Sequence, residues 1–202
     1  MPGAMAIASI TATLKQLLGN GLIASADVTN IGDVSVTALP PDRISTGTEE
    51  RSQLNLFMYR VAPHSTIRAG TSARQARAGN KGVCAPLTVN LYYLVTAYGA
   101  QDLHGDILLG SAMQLLNETP VLSLEMVREA LRSSLSKKAK GSLTSAQISI
   151  GASDTTAQIK AISLTPQFLS FDDLSKLWSS LQARCRPSIV YEVSAVVIDD
   201  FE

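Results

Sequence analysis

The segment from Leu87 to Tyr98 constrains the fold most, because large apolar or aromatic side chains recur along both of its faces. Alternation with a period of two predicts a β-strand. One face would carry Leu87, Val89, Leu91, Tyr93, Val95 and Ala97, and the other Thr88, Asn90, Tyr92, Leu94, Thr96 and Tyr98. No basic residue interleaves with the tyrosines. We therefore interpret them as sheet packing rather than as a platform for stacking bases.

Four further segments have the pattern of strands. Gln53 to Val61 alternates between two largely apolar faces, which indicates a strand inside a sheet that is covered on both sides. Shorter strands are predicted at Asp33–Leu39 and Thr156–Pro166, and Ile189 to Ile198 alternates again near the end of the chain.

Helical periodicity separates these strands. Near the N-terminus, apolar side chains recur at three- and four-residue spacing: Ile7, Ile10, Leu14, Leu17 and Leu18. Asp102 is expected to cap a helix from Leu103 to about Asn117, and Ser123 to open another. A last helix starts at Ser170 and Asp173 and carries on its apolar face Phe171, Leu174, Leu177, Trp178 and Leu181. The order of elements predicts an α+β fold, with a largely antiparallel sheet of about four to five strands flanked by helices.

Composition favours one globular domain over residues 1–202, because 46% of the residues are hydrophobic and the formal net charge is zero. Cys84 and Cys185 form no CxxC pair, which argues against a zinc cluster or a disulfide framework. No apolar run reaches the length of a membrane span, and no Lys or Arg precedes Lys15 as a signal peptide would require. We expect synthesis and assembly in the cytoplasm, without membrane insertion.

Charge is distributed unevenly along the chain. Between Arg51 and Gln101 there are basic residues but no acidic ones, and after Arg186 only acidic ones. Residues 63–86 are predicted to form a long basic loop, and the Ser- and Gly-rich stretch 141–153 a linker or hairpin tip. One interpretation is a basic arm that meets an acidic face on another protein; the alternative is solvated loops of opposite sign. The candidate partner-binding residues are Arg68, Arg74, Arg77, Lys81, Glu192, Asp199 and Asp200. A near-neutral pI disfavours nucleic acid as the partner.

Signatures of catalysis are missing from the sequence. His64 and His104 form no HxH or HExxH motif, and there is no GxSxG or GxxxxGK[ST] motif. We therefore predict no catalytic, cofactor-binding or metal-binding residues. A hydrolase remains an alternative only if a Ser, an acid and one of these histidines meet in the folded chain.

Six ordered motifs carry a resemblance to a known family. They are ALPPDR at 38–43, LNLFMYRV at 54–61, LYYLVTAYG at 91–99, LLGSAMQLL at 108–116, LSKLWSSL at 174–181 and YEVS at 191–194. With these motifs in this order, the chain resembles the cap, or tail-terminator, family of bacterial contractile injection systems. These systems are phage-tail-like particles in which a sheath surrounds a tube. The likeness runs from about residue 7 to residue 199.

The resemblance implies a structural protein without cofactor or enzymatic activity. It implies a six-fold ring of copies on the distal end of the inner tube and the last sheath layer. Such a ring would end polymerisation and join tube to sheath, so the implied partners are further copies, the tube protein and the sheath protein. The alternative is a transient assembly chaperone, or a binding module, for a tube or sheath component. We also expect either Ile189–Ile198 or the 53–61 strand to be an edge strand that accepts a strand from a sheath subunit.

Overall fold

Three long strands form the centre of the computed structural model, which describes residues 6–64, 87–123, 125–130, 132 and 162–198. In chain order the elements are α1 (Ala6–Ala24), α2 (Ala26–Thr29), β1 (Ser35–Thr37), a 3₁₀ turn (Pro41–Arg43), β2 (Gln53–Pro63), β3 (Leu87–Tyr98), α3 (His104–Glu118), β4 (Val121–Leu122), β5 (Ile162–Gln167), α4 (Phe171–Ser180) and β6 (Ser188–Ile198). Residues 125–130 are also helical. The predicted basic loop beyond His64 and the predicted linker at 141–153 lie outside the described residues.

The strands form one sheet in the order β1-β2-β3-β6-β5-β4. β1 and β2 are parallel, and every other neighbouring pair is antiparallel. The α+β prediction and the largely antiparallel sheet are confirmed. The sheet has six strands because it includes β4, which has 2 residues and is too short for a period-two pattern to reveal.

Helices cover the two faces of the sheet, as the two-sided pattern of the strands predicted. On one face, α1 and α3 pack through side chains such as Leu14 and Leu108 against Leu56 and Tyr93 of the strands. The hydroxyl of Tyr93 lies 2.8 Å from Oγ1 of Thr11 in α1. On the other face, Trp178 of α4 packs against Leu94 and Val190. This second helix layer covers only part of its face.

Two helices start as the sequence predicts, and a third does not. The Ser170 hydroxyl accepts a hydrogen bond from the Asp173 backbone N–H at 3.2 Å, and Ser123 accepts one from Met126 at 3.3 Å, as predicted. The prediction that Asp102 caps α3 is wrong, since the capping position is Leu103, which has a φ of 64° and no side-chain cap. There a backbone turn, with His104 N–H donating to Gln101 O, leads into the helix instead.

The apolar face predicted for the last helix is wrong at one position. Leu174, Leu177, Trp178 and Leu181 do contact the sheet. Phe171, by contrast, is 83% exposed. It occupies the first position of α4, where the chain enters the helix from the end of β5.

Neither candidate edge strand lies at the end of the sheet, because β2 lies between β1 and β3, and β6 lies between β3 and β5. The expectation of an edge strand is therefore wrong for both strands taken as a whole. β5 pairs with β6 from Val190 to Ser194. β1 pairs with β2 only from Gln53 to Asn55. Beyond Asn55, no described strand pairs with the outer side of β2.

The hydrogen bonds of Asn55 explain why β1 covers the outer side of β2 no further than this residue. Its buried amide accepts a hydrogen bond from Leu39 N–H at 3.0 Å and donates one to Leu39 O at 2.9 Å. These two bonds fix the chain just before Pro40 and the 3₁₀ turn, which leads away from β2. Residues 56–63 therefore keep an open outer edge within the described part of the chain.

Candidate partner-binding surface

Of the predicted partner-binding residues, the structure describes Glu192. The remaining ones lie outside the described residues: Arg68, Arg74, Arg77, Lys81, Asp199 and Asp200. Their proposed contacts therefore stay predictions.

Glu192 is half-buried in β6 and is held by side chains from the strands on both sides. Its Oε1 accepts a hydrogen bond from Asn90 Nδ2 at 2.6 Å, and its Oε2 accepts one from Gln167 Nε2 at 2.8 Å. Burial and then the negative charge of Glu192 raise the pKa of Tyr92. Within the described residues no ion pair includes Glu192, so its charge is held by neutral donors.

Asn90 connects this carboxylate to the start of the predicted basic loop. Its Oδ1 lies 2.7 Å from Nδ1 of His64, the residue that follows β2. The same oxygen accepts a hydrogen bond from the backbone N–H of Ala195 at 3.4 Å. Ala195 has a φ of 63° and lies at an irregularity in β6. Asn90 thus stabilises the local distortion and anchors the point where the chain leaves β2.

An aromatic and cationic group lies next to Glu192. The guanidinium carbon of Arg60 is 5.1 Å from the centroid of the Tyr92 ring, and the Tyr59 and Tyr92 ring centroids are 6.4 Å apart. A β-bulge between Met58 and Arg60 accounts for this placement, because it pairs Arg60 with Tyr92 across the strands. We call Tyr59, Arg60, Asn90, Tyr92 and Glu192 the polar sheet face.

The polar sheet face has the composition of a protein-binding surface. Tyr and Arg are enriched in protein interfaces because they combine a large contact area with directional hydrogen bonds. Here they lie on β2 and β3, beside the open outer edge of β2. A partner that bound there would meet backbone donors and acceptors at the edge and polar side chains on the face.

One serine hydroxyl lies beside a histidine ring, which is part of what the hydrolase alternative requires. Ser52 Oγ lies 3.1 Å from Nδ1 of His104 and also accepts a hydrogen bond from Ala100 N–H at 3.2 Å. Ser52 is only 6% exposed. The neighbouring acid, Glu50, bonds to Arg186 and to the backbone of Gly99 instead of to His104. The group joins the segment before β2 to the start of α3, which is a structural role.

A family comparison matches nearly the whole chain. The family is described as the Pvc16 N-terminal domain, and its profile matches residues 9–202. The chain belongs to the Pvc16 N-terminal domain family. The resemblance to terminators of contractile injection systems is thereby confirmed at the level of the family.

One solved structure shares the fold of this chain, and a second shows a weaker similarity. The cryo-EM structure of the sheath/tube terminator of PVC, an extracellular contractile injection system, in its extended state matches with a TM-score of 0.55 at 15% identity. The match covers 96% of this chain and 57% of that chain. The anti-feeding prophage cap, a tube-terminating cap, matches at 14% identity with a TM-score of 0.48, over 91% of this chain and 55% of that one. The chain thus spans little more than half the length of these proteins.

No curated protein sequence matches the chain significantly. None of the helices in the described part of the chain has the length and hydropathy that a membrane span requires.

Reasoning from sequence selected Glu192 for its charge but missed the residues that surround it. Asn90 and Gln167 come from strands that are distant in sequence, and only the strand order brings them to Glu192. A signal was present in Asn90 and Tyr92, which occupy the more polar face of β3. Arg60 gave a second signal, because it is a charged residue inside an otherwise apolar strand.

Proposed function

We propose that this chain is a structural terminator of a contractile injection system, which ends the tube and the sheath and joins them. The observation that carries the proposal is membership of the Pvc16 N-terminal domain family over residues 9–202. The fold shared with the PVC sheath/tube terminator supports it. The terminator acts as a ring of copies, six by the family resemblance, on the distal end of the inner tube and the last sheath layer.

The open outer edge of β2 supports a contact with the sheath. An edge strand presents unpaired N–H and C=O groups, which can accept an extended segment of another protein by strand addition. In this proposal a sheath segment pairs with β2 beyond Asn55, where β1 no longer covers it. Arg60 and Tyr59 on the adjacent polar sheet face then contact the side chains of that segment.

The charged candidates complete the proposed set of contacts. Arg68, Arg74, Arg77 and Lys81 contact the tube or a neighbouring copy, with Asp199 and Asp200 as complementary charges. The chain carries out no catalysis. The burial of Ser52 and the engagement of Glu50 by Arg186 support that part of the proposal. Assembly takes place in the cytoplasm.

A pull-down from the native host tests the proposal against the alternative of a transient chaperone. Chain carrying an affinity tag is recovered gently, and the eluate is analysed by mass spectrometry. A terminator is expected to bring down sheath and tube proteins in large excess over itself, because each particle carries one cap. Recovery of the chain alone, or with one partner in comparable amount, would support the chaperone and contradict the terminator.

A further inference from the structure

The ladder between β2 and β3 shows which backbone groups β2 presents at its open outer edge. His64 N–H donates a hydrogen bond to Thr88 O at 3.0 Å, and the pairing of β2 with β3 continues through Pro63 and Val61. In an antiparallel ladder, backbone groups of successive residues point alternately to the two neighbouring sides. Because the N–H of His64 points to β3, the backbone groups of Pro63 and Val61 are assigned to the outer side.

Met58 presents outward groups on the other side of the β-bulge. Ser52 O, just before β2, accepts a hydrogen bond from Ser35 N–H of β1 at 3.5 Å. By the same alternation, every second residue from Ser52 to Met58 points outward. Met58 and Val61 each offer a donor and an acceptor, whereas Pro63 offers only its carbonyl. Proline is tolerated in strands at positions of this kind, where its nitrogen faces away from the ladder. The edge from Met58 to Pro63 can thus accept a short added strand.

Arg60 is an exposed positive charge in the middle of this edge. It lies within the bulge, between Met58 and Val61, and its guanidinium group lies over the Tyr92 ring. Neither ion pair of the described residues includes Arg60. The contact with Tyr92 holds the charge on one face of the sheet, next to the position that an added strand would take.

The strands around Arg60 supply no opposite charge. The sequence contains no Asp or Glu between Arg51 and Gln101, a range that includes all of β2 and β3. Glu192 lies on the same face but on β6, two strands from β2, which is about 10 Å. Both of its oxygens already accept hydrogen bonds, from Asn90 and Gln167. The outer side of β2 is therefore where a carboxylate can be added next to Arg60.

We propose that the sheath segment that pairs with β2 alternates apolar residues with Asp or Glu. Side chains of an added strand alternate between the two faces of the sheet. On the face of Arg60, an acidic side chain of the segment lies beside the guanidinium group. On the opposite face, its apolar side chains lie beside Val61 and Met58. The inference rests on the proposed function and deepens it by naming the chemistry of the segment that the edge accepts.

The same edge disfavours a second copy of the chain as the occupant. Symmetric pairing of residues 56–63 with the same residues of another copy would place the two Arg60 side chains next to each other. Like charges on neighbouring strands repel. The bulge and Pro63 further weaken pairing between identical edges. A segment that carries carboxylates meets the positive charge instead of repelling it.

Peptide titration of the purified chain tests this chemistry without particles. Two seven-residue peptides serve as probes, one in which Val alternates with Glu and one in which Val alternates with Lys. The Val–Glu peptide should shift the amide NMR signals of Met58 and Val61, and it should bind about fivefold more tightly than the Val–Lys peptide. Arg60→Glu should reverse this preference.

Arg184→Glu is the matched control for Arg60→Glu. It makes the same change in net charge at an exposed arginine that lies between α4 and β6, away from the open edge. Both variants should keep the thermal midpoint of the wild type, because both side chains are exposed. The control should still prefer the Val–Glu peptide.

Three results would overturn the inference. They are unchanged Met58 and Val61 signals at millimolar peptide, equal affinity for the two peptides, and the same preference in Arg60→Glu as in Arg184→Glu. Signals at Met58 and Val61 that shift with protein concentration alone would instead assign the edge to a second copy. If the wild-type chain is found on particles in any of these cases, the proposed function stands and only the chemistry of the segment fails. If the wild-type chain is absent from particles, the proposed function fails, and with it the sheath as the source of the segment, even where the peptide preference holds.

Discussion

Arg186 donates two hydrogen bonds to Glu50, from Nη1 to Oε1 at 2.8 Å and from Nη2 to Oε2 at 2.7 Å. The Arg186 guanidinium carbon also lies 5.1 Å from the centroid of the Tyr98 ring, and Glu50 accepts a hydrogen bond from Gly99 N–H. This pair joins the segment that precedes β2 to the segment that precedes β6, at the end of β3. It fixes the end of the sheet opposite to the one from which the predicted basic loop departs.

Glu50→Gln is expected to destabilise the fold by about 2 kcal/mol, because it leaves the half-buried Arg186 charge without its partner. This figure is below the cost for a fully buried pair, since the Arg186 side chain is 26% exposed. Urea unfolding of Glu50→Gln, Arg186→Gln and the double variant gives the coupling energy.

The exposed pair Lys176–Asp172 is the control for this measurement, with side chains that are 71% and 76% exposed. Lys176→Gln should change the free energy of unfolding by less than about 0.5 kcal/mol. Equal effects at the two pairs would show that the Glu50–Arg186 bond adds no more stability than a surface contact.

Tyr93 should make the protein sensitive to alkaline pH. Burial raises the pKa of Tyr93 to about 12, and the hydrogen bond with Thr11 acts in the opposite direction. Between pH 10 and 12 the unfolded chain loses this proton and the folded chain keeps it. Stability should therefore fall as pH rises through this window, by roughly 1.4 kcal/mol per pH unit from this residue.

Tyr93→Phe separates this contribution from those of other groups. The variant loses the hydrogen bond with Thr11, and its stability should fall less steeply between pH 10 and 12 than that of the wild type. Chemical denaturation at a series of pH values measures both slopes. Parallel slopes for the two proteins would show that Tyr93 titrates normally in the folded state.

Val61→Lys should prevent attachment of the cap to particles. Val61 is 46% exposed and lies on the open part of β2, where a charged side chain would oppose the addition of a strand. At this exposure, folding stability should change by no more than about 0.5 kcal/mol. The measurement is the ratio of cap to sheath in purified particles.

Val121→Lys is the matched control, since Val121 is 45% exposed and lies on β4 at the other edge of the sheet. It should leave attachment unchanged. Attachment that survives Val61→Lys but not Val121→Lys would move the sheath contact from β2 to β4.

Removal of positive charge from the predicted basic loop should abolish docking. In the variant, Arg68, Arg74, Arg77 and Lys81 are all replaced by Ser, which removes the proposed electrostatic contact with the tube or a neighbouring copy. The control replaces three lysines elsewhere in the chain, Lys137, Lys138 and Lys140, by Ser. Normal recovery of the loop variant on particles would refute the contact.

The sequence predicted those parts of the fold that depend on local pattern. The bounds of β3 agree with the alternation from Leu87 to Tyr98, because a long strand buried on both faces repeats its pattern many times. β4 was missed because two residues show no period, and Asp102 failed as a cap because a backbone turn at Leu103 starts α3 instead.

The candidate surface depended on information that local pattern does not contain. Glu192 stood out for its charge, but its hydrogen bonds come from Asn90 and Gln167 through the order of the strands. The open edge of β2 likewise results from a tertiary feature, the hydrogen bonds by which Asn55 fixes Leu39. The exposure of Phe171 contradicts the helical pattern, because this residue occupies the first position of α4, where the chain has only just left β5.

A terminator should occupy one end of a tube-and-sheath particle, and direct localisation tests this position best. Particles assembled with tagged chain are labelled with gold against the tag and imaged by negative stain. If the chain is a terminator, gold should lie at a single end of each rod and nowhere along its length. Gold distributed along the sheath, or intact rods without gold although tagged chain is present in the cells, would contradict it.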